Sequence, residues 1–275
     1  MNVELDMKNP RADGEYINSL AKGLSVLRSF TREKPELTLS EVAALTGLSP
    51  AAARRCLNTL VHLDYVGRRG KLFLLKPEVI VFASAFLESM NLEEIVQPHL
   101  QQVRDKTGDS SSLAVLFHEN ILYLVHVSTN RMVRLAAGVG TQFPIYATSL
   151  GRIMLAYQHR DMIEGYLRNA KMKAFTDKTV VTLSKFRSIL KKAKRDSYAS
   201  VQDELDYGIV SVAVPVFNDR SEVVAAINCS TSTARIKQDE MIRTRLPVLR
   251  EAADHIEMEL RRYPMLAYSV GLNNQ

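Results

Sequence analysis

The feature that most constrains the fold is a pair of short helices separated by a single glycine near the N-terminus. The segment from Thr38 to Glu41 reads Thr-Leu-Ser-Glu, the form of a capping box that begins a helix. Gly47 suits the left-handed conformation that ends such a helix, and Ser49 followed by Pro50 suits the start of the next. Because two helices joined by a tight glycine-containing turn form a known DNA-reading unit, this spacing predicts a helix-turn-helix.

The flanking segments extend this unit at both ends. Before it, apolar residues recur at steps of three and four, which predicts an amphipathic helix. These residues are Ile17, Leu20, Ala21, Leu24, Leu27 and Phe30. After it, two short apolar runs flank a turn rich in glycine and cations at 67–71, which predicts a β-hairpin. Together these elements predict a winged helix-turn-helix domain over residues 16–76.

The second helix of the pair, predicted over residues 50–63, has two faces. Its inward stripe is Ala53, Cys56, Leu57, Leu60 and Leu63, and its outward face carries Arg54, Arg55, Asn58 and His62. Arginine suits guanine and asparagine suits adenine in the major groove, while hairpin cations suit phosphates. The residues expected at DNA are Ser49, Ala51, Arg54, Arg55, Asn58, Arg68, Arg69 and Lys71. For an isolated helix and hairpin, solvated basic surfaces are the plainer interpretation; the order of the elements favours DNA.

The positive charge is concentrated where DNA is expected. The chain carries 36 Lys and Arg against 30 Asp and Glu, a net charge of +6. Between Pro50 and Pro77, Asp64 alone opposes six cations. A second basic cluster at 185–195 lies on a helix with an apolar inward face, so we interpret it as solvated surface. The placement of charge therefore indicates a polyanion partner at the N-terminal end.

The periodicity of the second half differs from that of the first. Helices are predicted over 79–90 and 92–106, with Pro98 marking a kink or a late start in the latter. Strand candidates are 113–117, 122–127, 132–136, 210–217 and 223–229. Further helices are predicted over 149–157, 162–169, 184–196 and 240–262. Hairpins with helices between them predict an α+β domain, an antiparallel sheet covered by helices.

Several classes of protein are disfavoured by what the sequence lacks. The motifs of zinc proteases, serine hydrolases and nucleotide-binding loops are absent, so we expect no enzyme, catalytic residue or cofactor. Cys56 and Cys229 are far apart and the histidines are scattered, so we expect neither a disulfide nor a metal site. The polar N-terminus is not a signal peptide, and no apolar run is long enough to span a bilayer. These observations predict a cytoplasmic protein without membrane contact.

The chain resembles IclR-type transcription regulators, and the resemblance runs through nearly its whole length. In the first half it rests on four segments: Ala21–Leu27, Leu39–Ala43, Thr46–Ser49 and Arg54–Leu60. In the second half it rests on Gly140, Phe143–Arg152, Tyr198–Ile209, Val212–Phe217 and Ala225–Asn228. Two positions depart from the family pattern: Tyr146 replaces a usual histidine, and Val201 replaces a frequent acidic residue.

The resemblance implies more than the elements alone predict. It implies that the linker helix, residues 77–90, contacts a second subunit, giving a homodimer or a dimer of dimers. It also implies a sheet of the GAF/PAS kind over residues 91–266, with an effector held between the sheet and loops. The ends, residues 1–15 and 267–275, are expected to be flexible.

The effector residues are expected on the sheet and at one helix start. Arg134 is a lone cation in an apolar strand and suits a carboxylate, although an edge-strand arginine facing water is an equal alternative. Polar groups at Thr148, Ser149, Ser211, Asn228 and Ser230 could converge on one pocket, although a structural hydrogen bond is the plainer interpretation of any one. The remaining candidates are Met132, Leu135, Tyr146, Leu150 and Ile209.

The resemblance is strongest to the branch that controls aromatic-acid breakdown by the β-ketoadipate route, whose members respond to protocatechuate and 4-hydroxybenzoate. It implies a DNA-binding activator of such catabolic genes, bound as a dimer to a palindromic operator and controlled by a hydroxybenzoate, with protocatechuate first. The alternative that the residues leave open is a metabolite sensor or regulatory subunit that acts without DNA.

Overall fold

The computed structural model describes residues 16–89, 92–129 and 137–262. The strand predicted over 132–136, and with it Met132, Arg134 and Leu135, lies outside the described residues, as do 1–15 and 263–275. The chain divides into two compact units between Phe86 and Leu87, a point within the predicted linker helix. Each unit is described by itself.

From residue 16 onwards, the N-terminal unit is built from three helices, a small sheet and the start of a fourth helix. In chain order these elements are α1 Asn18–Arg28, β1 Glu36–Thr38, α2 Leu39–Thr46, α3 Pro50–His62, β2 Val66–Arg69, β3 Leu72–Leu75 and α4 Glu78–Ser89. The strands form an antiparallel sheet in the order β1-β3-β2. The predicted winged helix-turn-helix is confirmed.

Local side-chain bonds explain where α2 and α3 begin and end. The Glu41 amide donates to Thr38 Oγ1 at 3.3 Å, and the Thr38 amide donates to Glu41 Oε2 at 2.8 Å, which completes the capping box. Gly47 ends α2 with φ at +68°, a conformation strained for other residues. The Ala52 amide then donates to Ser49 Oγ at 3.3 Å, which starts α3.

The core of this unit covers only one side of α1. Val26 and Phe30 are buried, whereas Ile17, Leu20 and Leu24 of the predicted apolar face are more than half exposed, so the core does not cover that face at the start of the helix. A domain of this size has too few apolar residues to cover both sides of a surface helix. Leu63, predicted inward, is also exposed, because α3 ends at His62.

In its described residues the C-terminal unit is a six-stranded antiparallel sheet with helices on both faces. Its helices are α5 Leu92–Ile95, α6 Gln97–Thr107, α7 Ser149–Ala156, α8 Arg160–Asn169, α9 Leu183–Asp196 and α10 Gln238–Arg262. Its strands are β4 Ser110–Phe117, β5 Asn120–Val127, β6 Gln142–Pro144, β7 Ala199–Gln202, β8 Ile209–Phe217 and β9 Val223–Ser232. They pair in the order β6-β5-β4-β9-β8-β7, so the predicted α+β fold is confirmed.

The two faces of this sheet differ in chemistry. One face is aliphatic and packs against α6 and α10, with Leu113, Val212 and Ile227 among its buried residues. The other face packs against α7 and carries smaller side chains, including Ala114 and Ala213. Because successive residues of a strand point to opposite faces, the two chemistries alternate along each strand.

The helix predicted over 92–106 is interrupted between α5 and α6. Pro98 lies in the first turn of α6, where its missing amide proton costs nothing, so the late start is the alternative the structure adopts. No helix among the described residues is both long and apolar enough to cross a membrane.

Candidate nucleic-acid and ligand sites

Helix α3 presents its polar residues outward and its apolar residues to the core. Arg54, Arg55 and Asn58 are exposed, while Ala53 and Leu57 are fully buried. Ser49 and Ala51, at the start of the helix, are exposed as well. Within the described ranges, neither arginine forms an ion pair with a carboxylate, so both charges can face an anion.

The hairpin formed by β2 and β3 holds its three cations in different ways. The Arg68 Nε donates to the Gly70 carbonyl at 2.9 Å, and its guanidinium lies 5.7 Å from the centre of the Phe73 ring. The Arg69 Nη2 lies 2.8 and 2.9 Å from the two Glu36 oxygens. Lys71 is exposed. Of the predicted cations of the wing, Arg69 is therefore partly neutralised by a carboxylate.

Apolar side chains are exposed on two helices of the N-terminal unit. On α4, Ile80, Val81 and Phe82 are each about three-fifths exposed, although the Phe82 ring also stacks on Tyr65 at 5.5 Å. On α1, Leu20 and Leu24 are exposed to a similar degree. A small domain gains nothing from such residues in water, so they indicate contact surfaces.

Polar side chains cluster on the α7-facing side of the large sheet, where the effector was predicted. Two rows of cross-strand partners run across neighbouring strands: His126, Ser112 and Asn228 form one, and Ser110, Ser230 and Ser211 form the other. Direct partners lie on the same face of a sheet, so the six residues share one surface. We call them the polar rows.

Three of the predicted effector residues are connected by hydrogen bonds. Ser149 Oγ lies 2.7 Å from Ser211 Oγ, and Asn228 Nδ2 donates to Ser211 Oγ at 3.1 Å. The buried Asn228 Oδ1 has no partner among the described residues. An unpaired buried acceptor costs free energy, so this oxygen requires a donor.

The start of α7 is fixed beside the polar rows by its cap and by close packing. Thr148 Oγ1 accepts the Gly151 amide at 3.1 Å, which caps the helix. A Cβ at Gly151 would lie 2.5 Å from the Ile145 Cα and carbonyl oxygen, so only glycine permits this approach. Because Ser149 is the first residue of α7, the close approach also fixes the hydroxyl that meets Ser211.

The other predicted effector residues are placed differently. Tyr146 OH donates to the Lys173 carbonyl and accepts the Lys173 amide, both at 2.9 Å, so its hydroxyl has partners within the protein. Leu150 is packed in the core between sheet and helices. Ile209 lies at the start of β8, two residues before Ser211 and on the same face.

Three residues of the polar rows, Ser110, Ser112 and His126, were not predicted. Ser112 Oγ lies 2.9 Å from His126 Nδ1, and burial lowers the pKa of His126. Ser110 Oγ accepts the Thr129 amide at 3.2 Å. The signal available in the sequence was the run of three serines at 110–112, which belongs to β4, although the strand was predicted to begin at residue 113.

One buried arginine near this face is fully engaged. The Arg152 guanidinium lies 2.7 and 2.5 Å from the two Glu204 oxygens, and its Nε donates to the Tyr146 carbonyl at 2.9 Å. Glu204 Oε2 also accepts the Val180 amide at 3.1 Å. This ion pair fastens α7 to the segment between β7 and β8. All three guanidinium nitrogens of Arg152 therefore have partners within the protein.

Comparison with known proteins identifies both halves of the chain. Residues 19–70 match the family described as the IclR helix-turn-helix domain, and residues 84–258 match the C-terminal domain of the bacterial transcriptional regulator IclR. The Pca regulon regulatory protein of Pseudomonas putida is 33% identical over 88% of this chain and 83% of its own length. The p-hydroxybenzoate hydroxylase transcriptional activator of Acinetobacter baylyi is 30% identical over 88% of this chain and 91% of its own.

A solved structure gives the same result. A transcriptional regulator from Rhodococcus sp. RHA1 superposes with a TM-score of 0.76 and 35% identity, covering 90% of this chain and 99% of that one. These families and relatives are transcription regulators and not enzymes. The chain therefore belongs to the IclR family of bacterial transcriptional regulators.

Proposed function

We propose that this regulator activates genes of aromatic-acid catabolism in response to a small aromatic carboxylate. In this proposal residues 16–76 bind DNA, residues 77–90 link the two parts, and residues 91–266 bind the effector. The observation that carries the proposal is the exposed face of α3, where Arg54, Arg55 and Asn58 lie without carboxylate partners among the described residues. The names of the two curated relatives support the catabolic role.

The proposed DNA contact places α3 in the major groove of each half of a palindromic operator. Its arginines and Asn58 face base edges, while Ser49 and Ala51 lie close to the backbone at the helix start. Arg68, Arg69 and Lys71 of the hairpin lie along the phosphates. Because Arg54 and Arg55 are exposed, replacing either one removes a proposed DNA contact and leaves the core of the domain unchanged.

The proposed effector site lies on the polar rows beside the start of α7. Ser149, Ser211, Asn228 and Ser230 supply polar groups, and the positive end of the α7 dipole favours an anion. Arg134 remains the proposed partner of the carboxylate, with Met132 and Leu135 beside it. A hydroxybenzoate has the matching chemistry, a carboxylate at one end and hydroxyls at the other, and protocatechuate is the first candidate.

The proposed partner of the exposed apolar side chains is a second copy of this chain. Ile80 and Val81 on α4, and Leu20 and Leu24 on α1, would be buried in a homodimer, which could pair further into a dimer of dimers. Two copies would present two α3 helices, as a palindromic operator requires.

Gel retardation on the intergenic DNA upstream of the regulated genes tests the DNA contact. We expect Arg55→Ala to lower affinity for the operator by about 1–3 kcal/mol, roughly fivefold to more than a hundredfold, because a base contact is lost. Lys191→Ala, which removes an exposed cation from α9, is the control and should retard DNA as the wild type does. Equal retardation by Arg55→Ala would remove α3 from the interface, and no retardation by the wild type would favour a sensor that acts without DNA.

Calorimetry on the full chain tests the effector. We expect protocatechuate to bind the wild type, and Arg134→Ala to weaken this binding with little change in the free energy of unfolding. Full affinity in that variant would exclude Arg134 from the site. Transcription from the operator in vitro, with and without the acid, then distinguishes activation from repression.

A further inference from the structure

The row formed by His126, Ser112 and Asn228 has chemistry that the proposed effector site does not yet explain. The three residues are direct partners on β5, β4 and β9, so they lie side by side on one surface. Neighbouring strands are about 4.8 Å apart, so polar groups on adjacent strands can reach two neighbouring substituents of one aromatic ring.

Asn228 supplies an acceptor that a carboxylate cannot satisfy. The residue is only 3% exposed, its Nδ2 is used by Ser211, and its Oδ1 has no partner among the described residues. An ionised carboxylate has no proton to donate, whereas a phenolic hydroxyl has one. The group that meets Asn228 Oδ1 is therefore a donor such as a ring hydroxyl.

The adjacent pair, Ser112 and His126, supplies neutral partners. Ser112 is buried, and its Oγ lies 2.9 Å from His126 Nδ1. The pKa of His126 is lowered by burial, which favours the neutral imidazole, and Nδ1 is the ring nitrogen that meets Ser112. A neutral pair bonded in this way suits a second hydroxyl better than a negative charge, which would require a cation or several amide donors.

We infer that Ser112, His126 and Asn228 form the hydroxyl-recognising end of the effector site and select an aromatic acid with two adjacent ring hydroxyls. One hydroxyl donates to Asn228 Oδ1, and its neighbour exchanges hydrogen bonds with the pair of Ser112 and His126. The carboxylate of the ligand then lies away from this row. This inference rests on the proposed function, because it concerns the same site and ligand class.

Titration calorimetry with four acids and matched variants of the full chain tests the inference. The ligands are protocatechuate, 3-hydroxybenzoate, 4-hydroxybenzoate and benzoate, which differ only in their hydroxyls. We expect the wild type to prefer protocatechuate to the monohydroxy acids by about tenfold. In Ser112→Ala and His126→Phe this preference should fall to about twofold or less, with benzoate affinity nearly unchanged.

Ser111→Ala is the matched control, because Ser111 is the next residue of β4 and its hydroxyl points to the opposite face, where it donates to the Asn228 carbonyl at 2.8 Å. We expect this variant to keep the wild-type preference. If His126→Phe does not fold, His126→Gln and Ser112→Ala provide the same comparison.

The outcomes separate the inference from the proposed function. If the wild type binds the acids but Ser112→Ala and His126→Phe keep the full preference, the inference is wrong and the effector class stands. The same holds if Ser111→Ala loses the preference as fully as Ser112→Ala. If the wild type binds none of the four acids, the proposed effector class fails and the inference fails with it.

Discussion

Glu204 is a buried carboxylate whose two oxygens both face one guanidinium, that of Arg152. Removing one charge of such a pair leaves the other buried without compensation. We expect Glu204→Gln to lower the free energy of unfolding by about 3 kcal/mol or more, measured by urea denaturation.

Glu164→Gln is the control for this change, because Glu164 pairs with Arg187 at a partly exposed position. Solvent screens that pair, so its loss should cost much less stability than the loss of the buried pair. Similar losses in both variants would mean that Arg152 finds another partner when Glu204 is neutral.

His126 gives the C-terminal unit a dependence on pH. Burial lowers the pKa of its imidazole from the ordinary value of 6.5, so the folded state binds its proton less readily than the unfolded state. The contribution of His126 to stability is therefore fully present above about pH 6.5, and it is lost as the pH falls from there through the lowered pKa. We expect His126→Gln to lose less stability than the wild type between about pH 7.5 and pH 5.5.

Urea denaturation at the two pH values measures this difference between variants. The pKa of His99 is also lowered, by burial and by His255, so His99 contributes to the pH dependence of the wild type and of the variant alike. The effect of His126 is therefore the difference between the two proteins. His62→Gln, at an exposed position on α3, should keep the wild-type dependence. Identical curves for His126→Gln and the wild type would show that this imidazole is as readily protonated when folded as when unfolded.

Sequence reasoning succeeds best for residues whose role is local. The bonds at Thr38, Glu41 and Ser49 depend on partners within three residues, so the sequence contains all the information they need. The link from Ser149 to Ser211 spans 62 residues, and it exists only because the sheet register brings the two hydroxyls together. Its members were predicted individually, but their bonding was not, and Ser112 and His126 were missed for the same reason.

At the scale of elements, a carboxylate on β1 opposes the proposed role of the hairpin. Glu36 on β1 holds Arg69 on β2 with two short contacts. Glu36→Gln releases that cation for phosphate. We expect the variant to bind DNA more tightly at low salt, and the slope of log affinity against log salt concentration to steepen by about one.

Fluorescence anisotropy across a salt series measures this slope. Glu78→Gln is the control, because it removes the same charge from an exposed position at the start of α4. If the two variants have equal slopes, total charge and not release of Arg69 sets the salt dependence.

Helix α1 shows why periodicity alone does not determine which side of an element is buried. Its predicted face included Ile17, Leu20 and Leu24, which are exposed, while Val26 is fully buried. Leu20 and Leu24 lie on one side of this helix and Val26 on another, and the sequence does not say which side the core uses. The start of α3 was easier to predict, since Ser49 and Pro50 mark it.

At the scale of the whole molecule, the exposed residues of α4 make self-association testable. Ile80 is 60% exposed, and burying such a side chain contributes about 1.5–3 kcal/mol. We expect Ile80→Glu to raise the dissociation constant of the proposed dimer at least about tenfold, because it removes this contribution and buries a charge.

Sedimentation velocity at micromolar concentration measures the change. Val181→Glu is the control, since it introduces the same charge at an exposed apolar residue that lies outside α1 and α4. An unchanged dimer in Ile80→Glu would place the subunit contact on another surface.

The alternation along β4, β8 and β9 has a consequence for how such a regulator changes over time. Leu113, Val212 and Ile227 hold the sheet to α6 and α10, while the polar side chains between them point the other way. In the proposed effector site, a substitution in the polar rows alters which molecule is recognised and leaves the aliphatic layer intact. On this proposal, new inducer specificities are accessible by single substitutions that leave the packing of the sheet against α6 and α10 in place.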